Sequence, residues 1–480
     1  MKNLKQHRTS RLNSLYCIQA LVEFKESNMH LIYKYISIVR LTAAMSILLF
    51  LTNCGGVQQP LKEVLKKQTP YEKYEQALKN VKLENTALGN DWIASGRSAL
   101  QDSVLVSLPF KETGYFAAEK PMAVSFRVNL RRGERLVVGV EVRSAQPTQV
   151  FVDLFEIPLQ AAQDLKHIAS ADTSNNIIDF ESREDHIYLV RLQPELLRSG
   201  NYTITMSREP SLAFPVQGKD SRNISSFWGA NRDGGKRSHE GIDIFAKRGT
   251  PAIAATDGFI TGVNENRLGG KVVWLQDTKR QQRLYYAHLD QQLVRPGQKV
   301  VAGDTLGLIG NTGNARTTDP HLHFGIYSFG KGAVDPLPAV HVGSPAPPKI
   351  TANMQRLGTW ARISAKTGIL RLSPDLKSQQ VAELKKNIPV YVMGGVKDWY
   401  KVTLPDNTTG YIQAKQVENA DKPIRTQKVA GTTQILDQPV SSSAYLTIAE
   451  AGSQLPVLAI FGTYLYVKTP EGLTGWLPVS

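Results

Sequence analysis

Three short stretches of this 480-residue chain carry residue types that could do chemistry together. They are Ser238-His239-Glu240-Gly241-Ile242-Asp243, Leu284-Tyr285-Tyr286-Ala287-His288-Leu289, and Pro320-His321-Leu322-His323-Phe324. Nine histidines occur in all, and four of them fall within this one span. Imidazole nitrogen and carboxylate oxygen together suit zinc. A catalytic zinc takes three protein ligands and leaves a fourth position for water. His239, Asp243, His288, His321 and His323 are five candidate groups, two more than the metal needs, and the spare groups can do acid–base work. No His-Glu-x-x-His occurs, which argues against a thermolysin-like site. A lone His-x-His is common by chance, whereas His-x-x-x-Asp, a strand histidine and His-x-His within one span are much more specific together.

The elements that must position these groups are strands. Pro-His-Leu-His-Phe alternates polar and apolar, and residues i and i+2 of a strand share a face. His321 and His323 should therefore project into one cleft, with Leu322 pointing to the other side. Gly241 to Phe245 also reads as a strand, with Asp243 facing away from the core residues Ile242 and Ile244. His239 sits on the approach loop. Strict alternation puts His288 on the face of Leu284 and Tyr286. Asn311-Thr312-Gly313-Asn314 reads as a tight loop shaping the groove. His167, His186 and His341 read as structural.

Hydrophobic residues make up 41% of the chain and charged residues 21%, which excludes a disordered polymer. The length predicts three or four domains. The net charge is +15, of which residues 1–53 supply +5 and residues 349–480 supply +6. Such an excess suits nucleic acid or an anionic envelope, and no nucleic-acid motif accompanies it. Cys17 and Cys54 are the only cysteines, so the body of the chain has neither a disulfide framework nor a cysteine zinc site.

Leu41 to Leu51 is an apolar run preceded by Lys34 and Arg40. It is short of the roughly 20 residues a membrane span needs and has the size of a secretory h-region. Leu51-Thr52-Asn53-Cys54 resembles a bacterial lipobox, although Asn53 departs from the usual small residue. The resemblance implies lipid on Cys54, a membrane anchor, and export to the bacterial envelope. The other reading of the run is an uncleaved signal anchor. A start at Met29 would give a signal of ordinary length and leave residues 1–28 as an upstream extension.

After a tether, Thr69-Pro70-Tyr71-Glu72 reads as a capping box. Tyr71, Tyr74, Leu78 and Val81 then mark one face of a helix that should pack on the next domain. From Ser103 to Met206 the period changes to two. VSLPF, AVSFRVNL, RLVVGVEVRS, TQVFVDLFEI, NIIDFES, HIYLVRL and NYTITMS are seven strand candidates, and they suggest a β-sandwich resembling bacterial pre-peptidase domains. Gly343 to Pro348 is a proline-rich linker. Beyond it, Trp399-Tyr400-Lys401-Val402 leads to Thr409-Gly410-Tyr411-Ile412. Sixty-five residues later Tyr464-Leu465-Tyr466-Val467 leads to Thr474-Gly475-Trp476-Leu477. Both copies resemble bacterial SH3-like barrels, which often bind cell-wall polymers. Their aromatics either form an exposed wall-binding surface or fill two small cores.

Phe227-Trp228-Gly229, SHEGIDIFAKRGTPAIAATDGFI, GGKVVWL, YYAHL, GQKVVAGDTLGLIGNTGN and DPHLHF together resemble the lysostaphin/LytM-type zinc metallopeptidases. The resemblance implies peptidoglycan endopeptidase activity, zinc on His239, Asp243 and His323, and His288 and His321 as the catalytic pair. It also implies a mainly antiparallel β fold with a groove across the sheet. Asp319 stands where many members have glycine and Gly325 where many have glutamate; neither change removes a ligand.

The expected architecture is mainly β. Residues 1–54 form the signal segment, 55–95 a tether and helix, 96–208 the sandwich, and 209–345 the peptidase. Residues 350–420 and 421–480 form two SH3-like units. The expected partners are peptidoglycan peptides, cell-wall polymer through the SH3-like units, and the membrane through Cys54. Two other functions compete: a catalytically inactive wall-binding scaffold or amidase activator, and a secreted bacteriolysin. Because only the linker joins them to the peptidase, residues 349–480 are expected to act in targeting alone. A chain ending near Pro345 should then cleave soluble peptides as well as the full chain does.

Overall fold

The computed structural model describes residues 67–101, 103–160, 164–341 and 346–479. The h-region, Cys54, most of the tether and part of the proline-rich linker lie outside the described residues. Among the described residues no helix is long and apolar enough to cross a membrane. The chain is mainly β, in several antiparallel sheets.

The helix Pro70–Asn80 forms where the spacing predicts, burying Tyr71 and Leu78, while Val81 lies beyond its end and is exposed. A second helix, Ala87–Ser98, is capped by Thr86, whose side chain accepts from the Gly89 amide. Trp92 and Ile93 of this helix join Tyr71, Leu78 and Phe151 in one apolar cluster. The helical pair is thereby clamped to the β layer behind it.

That layer is two sheets around one core. Val124–Leu130, His186–Pro194, Val150–Glu156 and Lys166–Ser170 lie in one sheet. Phe110–Phe116, Gly200–Pro210, Glu134–Ser144 and Ile177–Glu181 lie in the other. Val128, Leu154 and Val190 from the first meet Leu136, Ile204 and Met206 from the second. Six of the seven expected segments are recognisable. The seventh, Val106 to Phe110, forms no strand of its own: it follows the two-residue strand Val104–Leu105 and ends where Phe110 opens another strand. Lys166–Ser170 is a strand with no apolar alternation to announce it.

Phe110–Phe116 changes the picture of the C-terminal units. Its inward positions are Phe110, Glu112, Gly114 and Phe116. Gly114 is required, because a Cβ there would sit 2.3 Å from the Tyr202 ring. Glu112 is fully buried and accepts from the Tyr202 hydroxyl at 2.8 Å and the Tyr411 hydroxyl at 3.3 Å. Burial, with Glu112 beside them, pushes both phenols well above their usual range, so they stay protonated donors. The strand pairs on its other side with Pro389–Val396 of the first C-terminal unit, Thr113 opposite Gly395 and Gly114 opposite Gly394. Val396, Trp399 and Tyr411 then enter the sandwich core. The sandwich and the first C-terminal unit therefore share a sheet and a core, an attachment that the sequence reading, which considered only the linker to the peptidase, did not include.

Six strands of the first C-terminal unit recur in the same order in the second, and the first adds Val417–Asn419 beside Trp360–Ile363. In the first the order is Trp360–Ile363, Pro389–Val396, Trp399–Thr403, Thr409–Gln413, Thr367–Arg371, Gln380–Lys385. In the second it is Arg425–Lys428, Gln454–Phe461, Tyr464–Lys468, Thr474–Pro478, Thr433–Leu436, Tyr445–Ala449. Even the bulge recurs, at Val392/Gly394 and at Val457/Ala459. The repeated aromatics are not an exposed surface: Trp399, Tyr400, Tyr411, Tyr466 and Trp476 are all buried. Trp360 packs edge-on against Trp476 at 5.6 Å and lies 5.9 Å from Tyr466, joining the two barrels.

Removing residues 349–480 should strip a strand and three core side chains from the sandwich. Trp399→Ala alone should destabilise it by about 3–5 kcal/mol. Denaturant unfolding of full-length, Trp399→Ala and shortened chains measures this; unchanged midpoints would show the barrels to be loosely tethered after all.

Candidate metal centre

The central sheet runs from Ile224–Ser226 through Ile242–Phe245, His321–Ser328, Gln282–Gln292 and Gly270–Asp277 to Gly258–Asn266. Ile242, Ile244, Leu322, Phe324, Leu284 and Tyr286 are fully buried on its core face. Period-two geometry then sends Asp243, His321 and His323 to the opposite face. Antiparallel pairing sets Asp243 directly across from His323. His239 arrives from the loop four residues before Asp243. Gly241 lets these strands close up, since a Cβ there would lie 2.6 Å from the Phe324 carbonyl and 2.7 Å from the His323 ring.

Three ligand atoms converge. His239 Nε2 lies 3.1 Å from Asp243 Oδ1 and 3.0 Å from His323 Nδ1, and His323 Nδ1 lies 3.0 Å from Asp243 Oδ1. Among the described residues this is the group of histidine and acidic side chains that could hold a metal ion. The His239 Nδ1 lies 2.9 Å from the Phe227 carbonyl. A carbonyl can only accept, so Nδ1 carries the proton and Nε2 turns a lone pair toward the other two atoms. Burial opposes ionisation of Asp243, but hydrogen bonds and charge from His239 and His323 outweigh it and hold its carboxyl far below the usual range. Burial pushes His323 down, against the pull of Asp243, toward the neutral form a metal ligand needs. A buried carboxylate and two imidazole nitrogens at mutual distances of 3.0–3.1 Å call for a cation between them. Ligand bonds of about 2.0–2.1 Å in a tetrahedron give edges of about 3.4 Å, so the observed triangle accommodates zinc with adjustments of a few tenths of an ångström. Nitrogen and oxygen donors fit that metal.

The remaining histidines stand beside the triangle. His288 and His321 have ring centroids 5.0 Å apart, and His288 is 5.9 Å from His323. His288 Nδ1 donates to the Thr312 carbonyl at 2.9 Å, and His321 Nδ1 to the Asp319 carbonyl at 2.8 Å. Each ring thus holds its proton at Nδ1 and leaves Nε2 as an acceptor. Burial, then the neighbouring His321 and His323, pushes His288 down to about 4.

Strict alternation fails at His288. The pairing with Gly270–Asp277 slips between Leu289 and Tyr286, one extra residue on the His288 strand, and His288 has φ +64°. This bulge turns its ring off the core face shared by Leu284 and Tyr286 and into the groove. Neither the bulge nor the left-handed backbone has a glycine to announce it. The loop at Asn311–Asn314 shapes the groove as expected, its Thr312 carbonyl orienting His288. Sequence reasoning missed Arg232, one basic residue among many, which donates to Asp243 Oδ2 at 2.6 Å.

All five histidine and aspartate groups line one groove of about 550 Å³, together with Trp274, Tyr285 and Tyr327. Its lining residues fall between Ser225 and Tyr327, with none from the sandwich or the barrels. Among the described residues, therefore, neither neighbour covers the site. His167 bonds Ser170, and His341 closes a short helix, both away from the groove.

Residues 237–336 match peptidase family M23, and residues 358–418 match the bacterial SH3 domain. The chain is 35% identical over 133 residues to the peptidoglycan DD-endopeptidase ShyC of Vibrio cholerae, covering 26% of this chain and 29% of that one. It is 35% identical over 123 residues to the L-Ala–D-Glu endopeptidase of Bacillus subtilis, covering 24% of this chain and 37% of that one. The catalytic domain of lysostaphin from Staphylococcus simulans matches at 33% identity, over 24% of this chain and 90% of that domain, with a TM-score of 0.23. The chain spans only about a third of the length of the two curated relatives. Residues 237–336 are thus an M23-type peptidase domain, in which His239, Asp243 and His323 form an intact group that could hold a metal.

A histidine whose folded pKa is depressed binds fewer protons folded than unfolded, so stability falls as pH drops below the unfolded value of about 6.5 toward the folded value. Metal-free protein should lose stability between about pH 6.5 and 4, and His288→Asn should flatten part of that slope. Asparagine tolerates the left-handed backbone, so this variant should still fold. Unfolding midpoints across this pH range check both points; an equal slope in the variant would contradict the burial argument.

Proposed function

We propose that the chain is a zinc-dependent endopeptidase that hydrolyses peptide cross-links of bacterial peptidoglycan. The observation that carries this reading is the triangle of His239, Asp243 and His323, with two further histidines presenting Nε2 to the same groove. His239 Nε2, Asp243 Oδ1 and His323 Nδ1 would hold the metal. Bound zinc supplies a Lewis acid for the scissile carbonyl and a water acidified to a pKa of about 7. His288 and His321, each locked by a carbonyl at Nδ1, offer Nε2 to accept a proton from the attacking water and return it to the leaving amine. In its protonated turn, either ring donates to the developing oxyanion. The open groove lets an extended peptide reach the site without displacing another domain.

Relatives named as peptidoglycan DD-endopeptidases support the substrate class. We assign the chain to the bacterial cell envelope, exported through the Leu41–Leu51 segment and anchored by lipid on Cys54. We divide the rest into a sandwich over 96–208, a peptidase over 209–345 and SH3-like units over 350–420 and 421–480. The SH3-like units would bind cell-wall polymer through their basic surface, since their repeated aromatics are buried. An inactive scaffold or amidase activator fits less well, because ligands and histidine pair are all retained. A freely secreted bacteriolysin is distinguished by the absence of lipid on Cys54.

Digestion of purified peptidoglycan, with products identified by mass spectrometry, tests the substrate and reveals the bond cleaved. Chelation should abolish release of peptides, and zinc should restore it. His323→Ala should lose zinc and activity together. His321→Ala should keep zinc while turnover falls ~100- to 10,000-fold. Full activity in zinc-free protein, or equal loss of zinc in both variants, would refute this assignment of roles.

A further inference from the structure

We infer that Arg232 is a positioning residue for the metal centre: its guanidinium holds Asp243 so that one carboxylate oxygen alone faces the metal. This rests on reading His239, Asp243 and His323 as ligands. The two oxygens of Asp243 are divided between different partners. Oδ1 lies 3.0–3.1 Å from the two ligand nitrogens, and Oδ2 accepts from Arg232 Nη2 at 2.6 Å. The same Nη2 donates to Ser226 Oγ at 2.7 Å, and that hydroxyl lies 3.3 Å from His239 Nδ1. Arg232 thus touches one ligand directly and a second through one hydroxyl.

The arginine reaches the site from outside the central sheet. It lies on a ribbon of two short strands, Asn231–Arg232 and Arg237–Ser238, which form a sheet of their own. Its side chain is 32% exposed whereas that of Asp243 is 9% exposed. It is therefore not a core filler whose loss would collapse the fold. An aspartate free to turn about its last torsion could bind a metal by either oxygen or by both. A charge-assisted bond to Oδ2 removes the second and third options. Single-oxygen binding keeps the coordination number low and leaves a position for water. The guanidinium also faces the buried carboxylate before any metal arrives, so the site is preformed. Outer partners of metal ligands typically contribute 10- to 100-fold in affinity.

The test uses the full chain and reads metal binding rather than turnover. Zinc affinity is measured by competition with a chromophoric chelator, for wild type, Arg232→Ala, and Lys236→Ala at the turn of the same ribbon. Arg232→Ala should bind zinc about 10- to 100-fold more weakly, and Lys236→Ala should match wild type. Cobalt(II) substitution then reports coordination number: wild type should show the strong visible bands of a four-coordinate site, and Arg232→Ala the weaker bands of a five-coordinate one. Wild-type affinity and spectrum in Arg232→Ala, or an equal loss in Lys236→Ala, would overturn the inference. Failure of wild type itself to bind zinc would instead remove the metal reading beneath it, and the inference with it.

Discussion

The pairing of Asp243 with His323 across two antiparallel strands is the constraint on which the site depends. A slip of one residue would turn both side chains into the core and bring Ile244 and Leu322 out to the groove. Ile242, Ile244, Leu322 and Phe324 prevent this, each fully buried and each contributing about 1.5–3 kcal/mol by leaving water. That apolar gain offsets the cost of crowding a carboxylate and two imidazoles on the other face. The same strand then places His321 two residues from His323, beside His288. Asp243, His323 and His321 are thus fixed by one register.

Much of this was legible in the sequence because period two is a robust signal where one face is buried. Ile242-Asp243-Ile244 and His321-Leu322-His323-Phe324 each separate a chemical face from an apolar one, and the structure keeps that separation. His288 shows the limit. Its alternation is regular, yet a one-residue bulge reverses its face, and bulges depend on the partner strand rather than on local residue types. Arg232 was invisible for another reason, since a ribbon of two-residue strands carries no periodicity to read.

Architecture beyond the peptidase followed a similar division. The 65-residue repeat predicted two related units, and their strand order and bulges agree. Their attachment did not show, because Phe110–Phe116 presents Glu112 and Gly114 inward where apolar residues would mark a buried strand. Glu112 is satisfied by tyrosines from both sides of the junction, Tyr202 and Tyr411. Aromatics that suggested a binding surface serve instead as the core shared by the sandwich and the first barrel, and as the contact between the barrels. Among the described residues, neither the sandwich nor the barrels line the groove.

His239, Asp243 and His323 are proposed to hold one metal and leave a position free. X-ray absorption at the zinc edge of the full-length protein measures this most directly. We predict four nitrogen or oxygen neighbours at about 2.0–2.1 Å, with outer-shell scattering from two imidazoles, unchanged in His321→Ala. A first shell of six oxygens, or a signal from a third imidazole that disappears in His321→Ala, would contradict it.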